Sequence, residues 1–300
     1  MEDWRRDIER ALAGRGATCR ADELLSRHTT FGIGGIAEIW VEVMDEQTLA
    51  AAISHCRERG IRWWVLGRGS NVLVSDQGLD GVVLRLGGDL ARIRVNGSQL
   101  EAGAGAGLDD LAVRAEAAGL RGAEFLAGIP GTVGGGLRTN AGAFGRSLTD
   151  VLEGVRVLET NGSSMTLKCT DFIRGYRTSV IDGSVIVTSA VLRLDPGTST
   201  PADEIRRRRW EKQPSDFSAG SFFKNPPGEA AGRLIEWCGM KGRRVGAAQV
   251  SDKHANFIIN TGGARFADVY GLAQVVKANV EAQTGILLEE EVQVLPSDRR

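Results

Sequence analysis

The chain has 300 residues, 42% of them apolar and 25% charged, with a formal net charge of −1. That balance excludes a disordered chain and leaves no global field to draw nucleic acid or an anionic membrane. At roughly 150 residues per domain the length predicts two domains, or a two-lobed domain followed by a second.

The opening MEDWRRDIERALAG reads as a charged amphipathic helix with no apolar signal region. No apolar run reaches the length of about 18 residues that a membrane span needs. Cys19, Cys56, Cys169 and Cys238 lie far apart, with neither zinc nor redox spacing. Reduced thiols in a cytoplasm are expected.

Ala37 to Val43 alternates as a strand does. Glu46 to Arg59 has helical spacing through Leu49, Ile53 and Cys56, and Gly60 ends it. Arg62 to Leu66 reads as a second strand, giving a β-α-β unit that GRGSN (67–71) follows directly. Short strands are expected at 72–74, 82–86, 91–95 and 99–102, and a helix from about Leu108 to Ala118. The stretch AGIPGTVGGGLRTNAGAFG (127–145) is too rich in glycine for a helix or a plain strand. Val151 to Glu159 and Met165 to Cys169 form a hairpin across Asn161-Gly162. Ser184 to Leu194 is a long strand, and Asp195-Pro196-Gly197 marks a domain boundary.

Beyond it lies a charged helix at about 201–212, whose run Arg206 to Arg209 reads as a solvated face. SAGSFFKNPPG (218–228) follows, then a helix from about Ala230 to Cys238. Two strands flank SDKH (251–254). Val269, Leu272, Val276 and Val280 set a helix to about Thr284, stopped by Gly285, and Glu290 to Leu295 is a last strand.

Several familiar motifs are missing: a Walker A loop, a Gly-x-Gly-x-x-Gly turn and a Gly-x-Ser-x-Gly elbow. His28, His55 and His254 have no metal-ligand spacing, so no metal is expected. On the residues alone, a Ser-His-Asp hydrolase using His254 stays open.

Glycine is the outlier, with 40 residues against an average near 7%. GRGSN closes a β-α-β unit, where successive N–H groups form an anion-binding concavity, and Ser70 and Asn71 add side-chain donors. GIPGTVGG (128–135) and TNAGAFG (139–145) supply two more such loops, the first stiffened by Pro130. Three loops of this kind suit a long, phosphate-bearing ligand, a dinucleotide better than a mononucleotide.

GRGSN, AGIPGTVGG, NAGAFG, GYRTS (175–179), GSFFKNPPG (220–228), AQVSDKHANFIINTGGA (248–264) and LEEEV (288–292) occur in this order. The ordered set resembles the UDP-N-acetylenolpyruvoylglucosamine reductase family of bacterial cell-wall synthesis, from about His28 to Leu295. The short connection from Thr178 to Val185 resembles the family's shorter-chain form, which lacks an extra loop over the substrate. The resemblance implies an α+β fold. A two-lobed FAD-binding domain of the vanillyl-alcohol-oxidase (PCMH) type, residues 1–86 and 87–197, would precede an α+β substrate-binding domain, residues 198–300.

It also implies FAD as cofactor, NADPH as cosubstrate and a UDP-sugar enolpyruvyl ether as substrate, in a cytoplasmic monomer with no nucleic-acid or membrane partner. In the family, flavin N5 gives hydride to the outer carbon of the enolpyruvyl double bond, and a proton follows to its neighbour. Ser221 matches the proton donor, Arg177 the active-site arginine and Glu291 the glutamate that stabilises the transition state or assists protonation. Relatives usually carry proline between two glutamates where this chain has Glu289-Glu290-Glu291, and a one-residue slip would turn the side chain to the other face.

Gly67, Arg68, Gly69, Ser70, Asn71, Gly128, Ile129, Pro130, Gly131, Gly134, Asn140 and Gly142 match the flavin loops. Arg138 touches flavin phosphate or points outward. Tyr176, Lys224, Asn225, Gln249 and His254 are the substrate contacts expected, with Asn256 beside them, and His254 is equally read as structural. Phe222 and Phe223 would shield Ser221 from water or fill core. The alternatives are a related FAD oxidase using oxygen and a nucleotide-binding protein without activity.

Overall fold

The computed structural model describes residues 4–175, 178–179 and 185–296, so Tyr176 and Arg177 lie outside the described residues. The chain divides into two compact units: residues 1–23, 38–67 and 80–208, and residues 24–37, 68–79 and 209–300.

In the first unit, α1 (Trp4–Leu12) buries Ile8 and Leu12 with the apolar face of α2 (Glu46–Glu58). Asp45 caps α2 by accepting the Thr48 N–H at 2.7 Å. One sheet has the order β1 (Thr18–Leu24), β2 (Ile36–Val43), β4 (Leu79–Leu86), β3 (Trp63–Val65), with Trp63 parallel to and opposite Val82. The expected β-α-β succession is present, yet β4 lies between its two strands. The sequence explains why: Val82, Val83 and Leu84 are all buried, the continuous apolar run of a strand covered on both faces. A second, antiparallel sheet has the order β8 (Ser164–Lys168), β7 (Leu152–Glu159), β9 (Val185–Arg193), β6 (Gln99–Gly103), β5 (Ile93–Asn96). The expected hairpin is its β7–β8 pair, with Val157 opposite Met165.

Two helices follow in this unit, α3 (Leu108–Ala117) and α4 (Val133–Arg138). The second corrects the sequence reading, because VGGGLR lies inside the stretch judged too glycine-rich for a helix. Tertiary contact overrides propensity here. Thr132 caps the helix by accepting the Gly135 N–H at 3.4 Å, and Gly134 donates to the Ala104 carbonyl at 2.8 Å. A β-carbon on Gly136 would lie 2.9 Å from Leu108, so the close approach itself requires glycine. α5 (Ala202–Lys212) carries the arginine run. Arg206 departs from the solvated-face reading, with only 19% of its side chain exposed.

The second unit has its own core, in which Phe31, Ile33 and Leu73 join Val269, Leu272, Val276 and Val280. Its sheet runs β10 (Phe217–Ser221), β13 (Phe257–Asn260), β12 (Ala248–Val250), β11 (Arg244–Val245), all antiparallel. Asn260 donates its side-chain amide to the Phe31 carbonyl at 2.9 Å, tying segment 24–37 to this sheet. The strand Val72–Val74 pairs in parallel with β14 (Gln293–Leu295), Val72 opposite Gln293. Helices α6 (Ala231–Trp237) and α7 (Phe266–Thr284) complete the unit, and Gly285 stops α7 at φ +72°.

Candidate active site

Ser221 is the last residue of β10, opposite Phe257. The residue before it, Gly220, has φ +75°, and the ladder shifts register between Ser218 and Ser221. Glycine takes that conformation at little cost. The chain then dives into the core: Phe222 and Phe223 are each 1% exposed, with ring centroids 5.1 Å apart. Both are therefore core residues.

Asn256 braces this descent. Its backbone carbonyl accepts the Phe222 N–H at 2.7 Å. Its side chain accepts the Phe223 N–H at 3.0 Å and donates to the Phe223 carbonyl at 2.8 Å. One buried amide thus satisfies both polar groups of a residue that has left the ladder. The sequence suggested a substrate contact for Asn256, but its side-chain donor and acceptor both engage backbone.

The glutamate run lies alongside. Lys224 donates its N–H to the Glu289 carbonyl at 2.8 Å, and Glu291 donates its own to the Phe222 carbonyl at 2.8 Å. Glu291 is thus stitched to the residue that follows Ser221. The other two carboxylates engage lysines: Glu289 meets Lys224 at 3.2 Å, and Glu290 meets Lys277 of α7 at 2.8 Å. Burial raises the Glu290 carboxyl, but the bond from Lys277 and further donors outweigh it and hold it below the usual carboxylate range. Asn71, the last residue of GRGSN, donates its side-chain amide to the Glu291 carbonyl at 3.1 Å and accepts the Gln293 N–H at 3.0 Å. The structure therefore brings Ser221, Lys224, Glu291 and Asn71 together within the second unit.

Asn225, Gln249 and His254, also expected to touch substrate, lie in the same unit. Asn225 accepts the Ala231 N–H at 3.0 Å, at the start of α6. Gln249 is buried on β12 and donates to Asp252 at 2.9 Å. His254 accepts the Asn256 N–H on Nδ1 at 3.2 Å and stands edge-on to Phe257. Burial, helped by Lys241, lowers its pKa. The neutral ring then carries its proton on Nε2. Also in this unit, Gly69 has φ +61°, and a β-carbon there would lie 2.1 Å from the His28 carbonyl oxygen.

The other glycine-rich segments belong to the first unit. A β-carbon on Gly67 would meet Thr132 Oγ1 at 2.6 Å, so GRGSN begins packed against the α4 cap. Gly128 has φ +71° and donates its N–H to Asp109 at 2.7 Å. Ile129 donates to the Leu126 carbonyl at 3.0 Å, and Gly131 accepts the Leu108 N–H at 3.1 Å. Asn140, buried with φ +43°, accepts the Thr149 N–H at 3.2 Å. Gly142 pairs with Ser147, where a β-carbon would lie 2.2 Å from the Arg146 carbonyl oxygen. Pro130 and Arg138 are exposed. Within the first unit, a β-carbon on Gly67 or Gly142 would clash and Gly128 has positive φ, so these loops leave a tightly fixed backbone cradle that fits a phosphate-bearing cofactor. Sequence reasoning missed Thr132 and Asp109. Threonine before a helix start was a legible cap signal, whereas Asp109 gave none. Among the described residues, no group of three or more His, Cys, Asp or Glu side chains is placed to hold a metal ion. No helix among them is long and apolar enough to cross a membrane.

Comparison with known proteins gives two family matches: an FAD binding domain over residues 37–168 and the C-terminal domain of UDP-N-acetylenolpyruvoylglucosamine reductase over 213–295. UDP-N-acetylenolpyruvoylglucosamine reductase 2 of Symbiobacterium thermophilum is 44% identical over 92% of this chain and 91% of its own. The chain belongs to the UDP-N-acetylenolpyruvoylglucosamine reductase family. The reductase of Clostridioides difficile is 38% identical over 93% of this chain and 94% of its own. The crystal structure of the family's enzyme (MurB) from Thermus caldophilus superposes with a TM-score of 0.79 at 38% identity, covering 93% of this chain and all of that one. The fold is accordingly of the expected α+β kind, with an FAD binding domain and the family's C-terminal domain matched in that order along the chain.

Proposed function

We propose that this protein uses NADPH and FAD to reduce UDP-N-acetylglucosamine enolpyruvate to UDP-N-acetylmuramate, a step of peptidoglycan precursor synthesis. Membership of the reductase family supports the reaction class. The observation that carries the reading is the backbone link between Glu291 and Phe222, at 2.8 Å, which sets Ser221 and Glu291 on adjoining strands of chain. FAD, held by the glycine-rich loops, would supply two-electron redox chemistry between NADPH and the enolpyruvyl double bond.

The protein's residues manage the charge and the proton. Negative charge develops on the carbon beside the substrate carboxylate, and Ser221 donates its hydroxyl proton there. A hydroxyl is a feeble acid, but an enolate carbon is a strong base, so position suffices. Glu291 stabilises that transition state or assists the proton's delivery. Arg177 pairs its planar guanidinium with the carboxylate. Tyr176, Lys224, Asn225, Gln249 and His254 receive the rest of the substrate. The partly exposed Lys224–Glu289 pair is of the kind worth about 1 kcal/mol or less, so a substrate phosphate can displace it. His254 offers its Nε2–H as a donor. Gly67 to Asn71, Gly128 to Gly131, Gly134, Asn140 and Gly142 hold the cofactor.

The test is NADPH consumption under argon and, in parallel, in air. Oxidation that requires the enolpyruvyl substrate and yields UDP-N-acetylmuramate in equal amount supports the proposal. Oxidation that requires oxygen and ignores the substrate makes the protein an oxidase instead.

A further inference from the structure

The register of the second unit's sheet tells its two faces apart. Ala248 and Val250 of β12 and Ile258 of β13 pack into the core with Val269 and Leu272 of α7. Side chains alternate along a strand, and residues directly opposite one another across a ladder share a face. Gln249 lies opposite Ile259, Ile259 opposite Ser218, and Phe257 opposite Ser221. Phe257 and Ile259 are outside the core that contains α7. Gln249 and Ser221 therefore share the other face of the sheet, with β13 between them. At about 4.8 Å between strands and about 3.4 Å per residue, their Cα atoms lie about 12 Å apart. That separation is within the length of a nucleoside-diphosphate sugar.

Gln249 is 7% exposed, and its side-chain N–H is donated to Asp252 Oδ2 at 2.9 Å. A carboxylate only accepts, so this bond settles which way round the amide sits, with nitrogen towards Asp252 and Oε1 on the other side. Among the described residues Oε1 accepts no hydrogen bond, and it is not sealed from solvent. A nearly buried acceptor without a partner is costly, and a donor on a ligand would satisfy it. The neighbouring carboxylate also selects the ligand's chemistry. It repels a phosphate or carboxylate and favours a neutral donor, a hydroxyl or an amide N–H. Asp252 itself is exposed, so its replacement opens no cavity.

We propose that Asp252 is a positioning residue for substrate: it turns Gln249 so that Oε1 faces a hydroxyl or amide N–H of the sugar nucleotide on the Ser221 side of the sheet. This rests on the reductase reading above. The test is steady-state reduction of UDP-N-acetylglucosamine enolpyruvate by NADPH. Gln249→Leu should raise KM about tenfold and leave kcat within about threefold, since the bond is made in ground and transition states alike. Asp252→Asn can donate as well as accept, which lets the Gln249 amide turn over, and should raise KM by about three- to tenfold. Asp252→Glu keeps an acceptor and should stay within about threefold of wild type. Adding Asp252→Asn to Gln249→Leu should raise KM no further, because Asp252 acts only through that amide. Effects that multiply in the double variant would make Asp252 an independent loop residue. An unchanged KM in Gln249→Leu would mean that the amide meets no substrate, and a lower KM in Asp252→Asn would mean that it faces an anion. Any of these three results overturns the inference. Wild type that does not reduce the enolpyruvyl sugar at all removes the reductase reading, and the inference with it.

Discussion

Replacing Asn256 by alanine is expected to be among the costliest single changes in the second unit. The substitution removes the bonds of 3.0 and 2.8 Å to Phe223. It strands an N–H and a carbonyl on a residue that is 1% exposed, beside a position that is itself 3% exposed. Each buried backbone group left without a partner costs about 1–3 kcal/mol, so the pair sums to about 2–6 kcal/mol. The Phe222 N–H keeps its bond to the backbone carbonyl of residue 256, and a water entering the vacated space recovers part of the rest. The expected loss is therefore about 2–4 kcal/mol. Urea denaturation followed by tryptophan fluorescence measures it as a lower midpoint at unchanged slope. Asn256→Asp sharpens the test. Its carboxylate can accept from the Phe223 N–H but turns its second oxygen on the Phe223 carbonyl, which raises the folded-state pKa. The aspartate variant should thus regain relative stability in acid, where the protonated group can donate again, and lose it as pH rises. A loss below about 0.5 kcal/mol for alanine, or a flat pH response for aspartate, would mean that Asn256 does not brace the Ser221 segment.

Ser221→Ala should leave flavin reduction by NADPH near its normal rate and abolish reoxidation by the enolpyruvyl substrate; equal loss of both half-reactions in stopped-flow absorbance would remove the proton-donor role. Gly67→Ala drives a β-carbon to 2.6 Å from Thr132 Oγ1, an overpacking of about 1–3 kcal/mol, and should loosen FAD about tenfold. Adding Thr132→Ala should restore part of the binding, because the next obstacle, the Thr132 β-carbon, lies 3.5 Å away; no recovery would place the strain elsewhere. The Arg156 fork, aided by Ser164 and Thr188, lowers the Glu46 carboxyl from 4.5 to about 2. That stabilisation is present above the unfolded pKa and is lost as pH falls from about 4.5 towards 2. With 48% of Arg156 and 27% of Glu46 exposed, solvent screening limits it to about 1 kcal/mol. Glu46→Gln should cost that much near neutrality and nothing near pH 2 (about the folded pKa); a pH-independent difference in urea midpoint would contradict this.

What could be read from the sequence was whatever local chemistry dictates. The spacing of Val269, Leu272, Val276 and Val280 predicts α7 to its final glycine, and all four are buried. The Asn161-Gly162 turn predicts the β7–β8 pairing. The ordered glycine motifs carried the family because many of those glycines meet steric limits, as Gly69 does against the His28 carbonyl. What depended on distant partners could not be read. β4 enters between β2 and β3 because its run of buried residues needs cover on both faces, and no local pattern names its neighbours. α4 runs against propensity and exists through Thr132, Ala104 and Leu108. Asn71 looked like a loop donor, but its amide reaches Glu291, 220 residues away. Within Glu289-Glu290-Glu291, Glu290 bonds Lys277, a helix residue whose approach no local pattern names.

The most direct test of the account is the visible absorbance of the purified protein under anaerobic conditions, first with NADPH and then with UDP-N-acetylglucosamine enolpyruvate. The account predicts flavin colour that bleaches with NADPH and returns with the substrate in the absence of oxygen. Colour that stays bleached until air is admitted, or a protein that takes up no FAD at all, would contradict it.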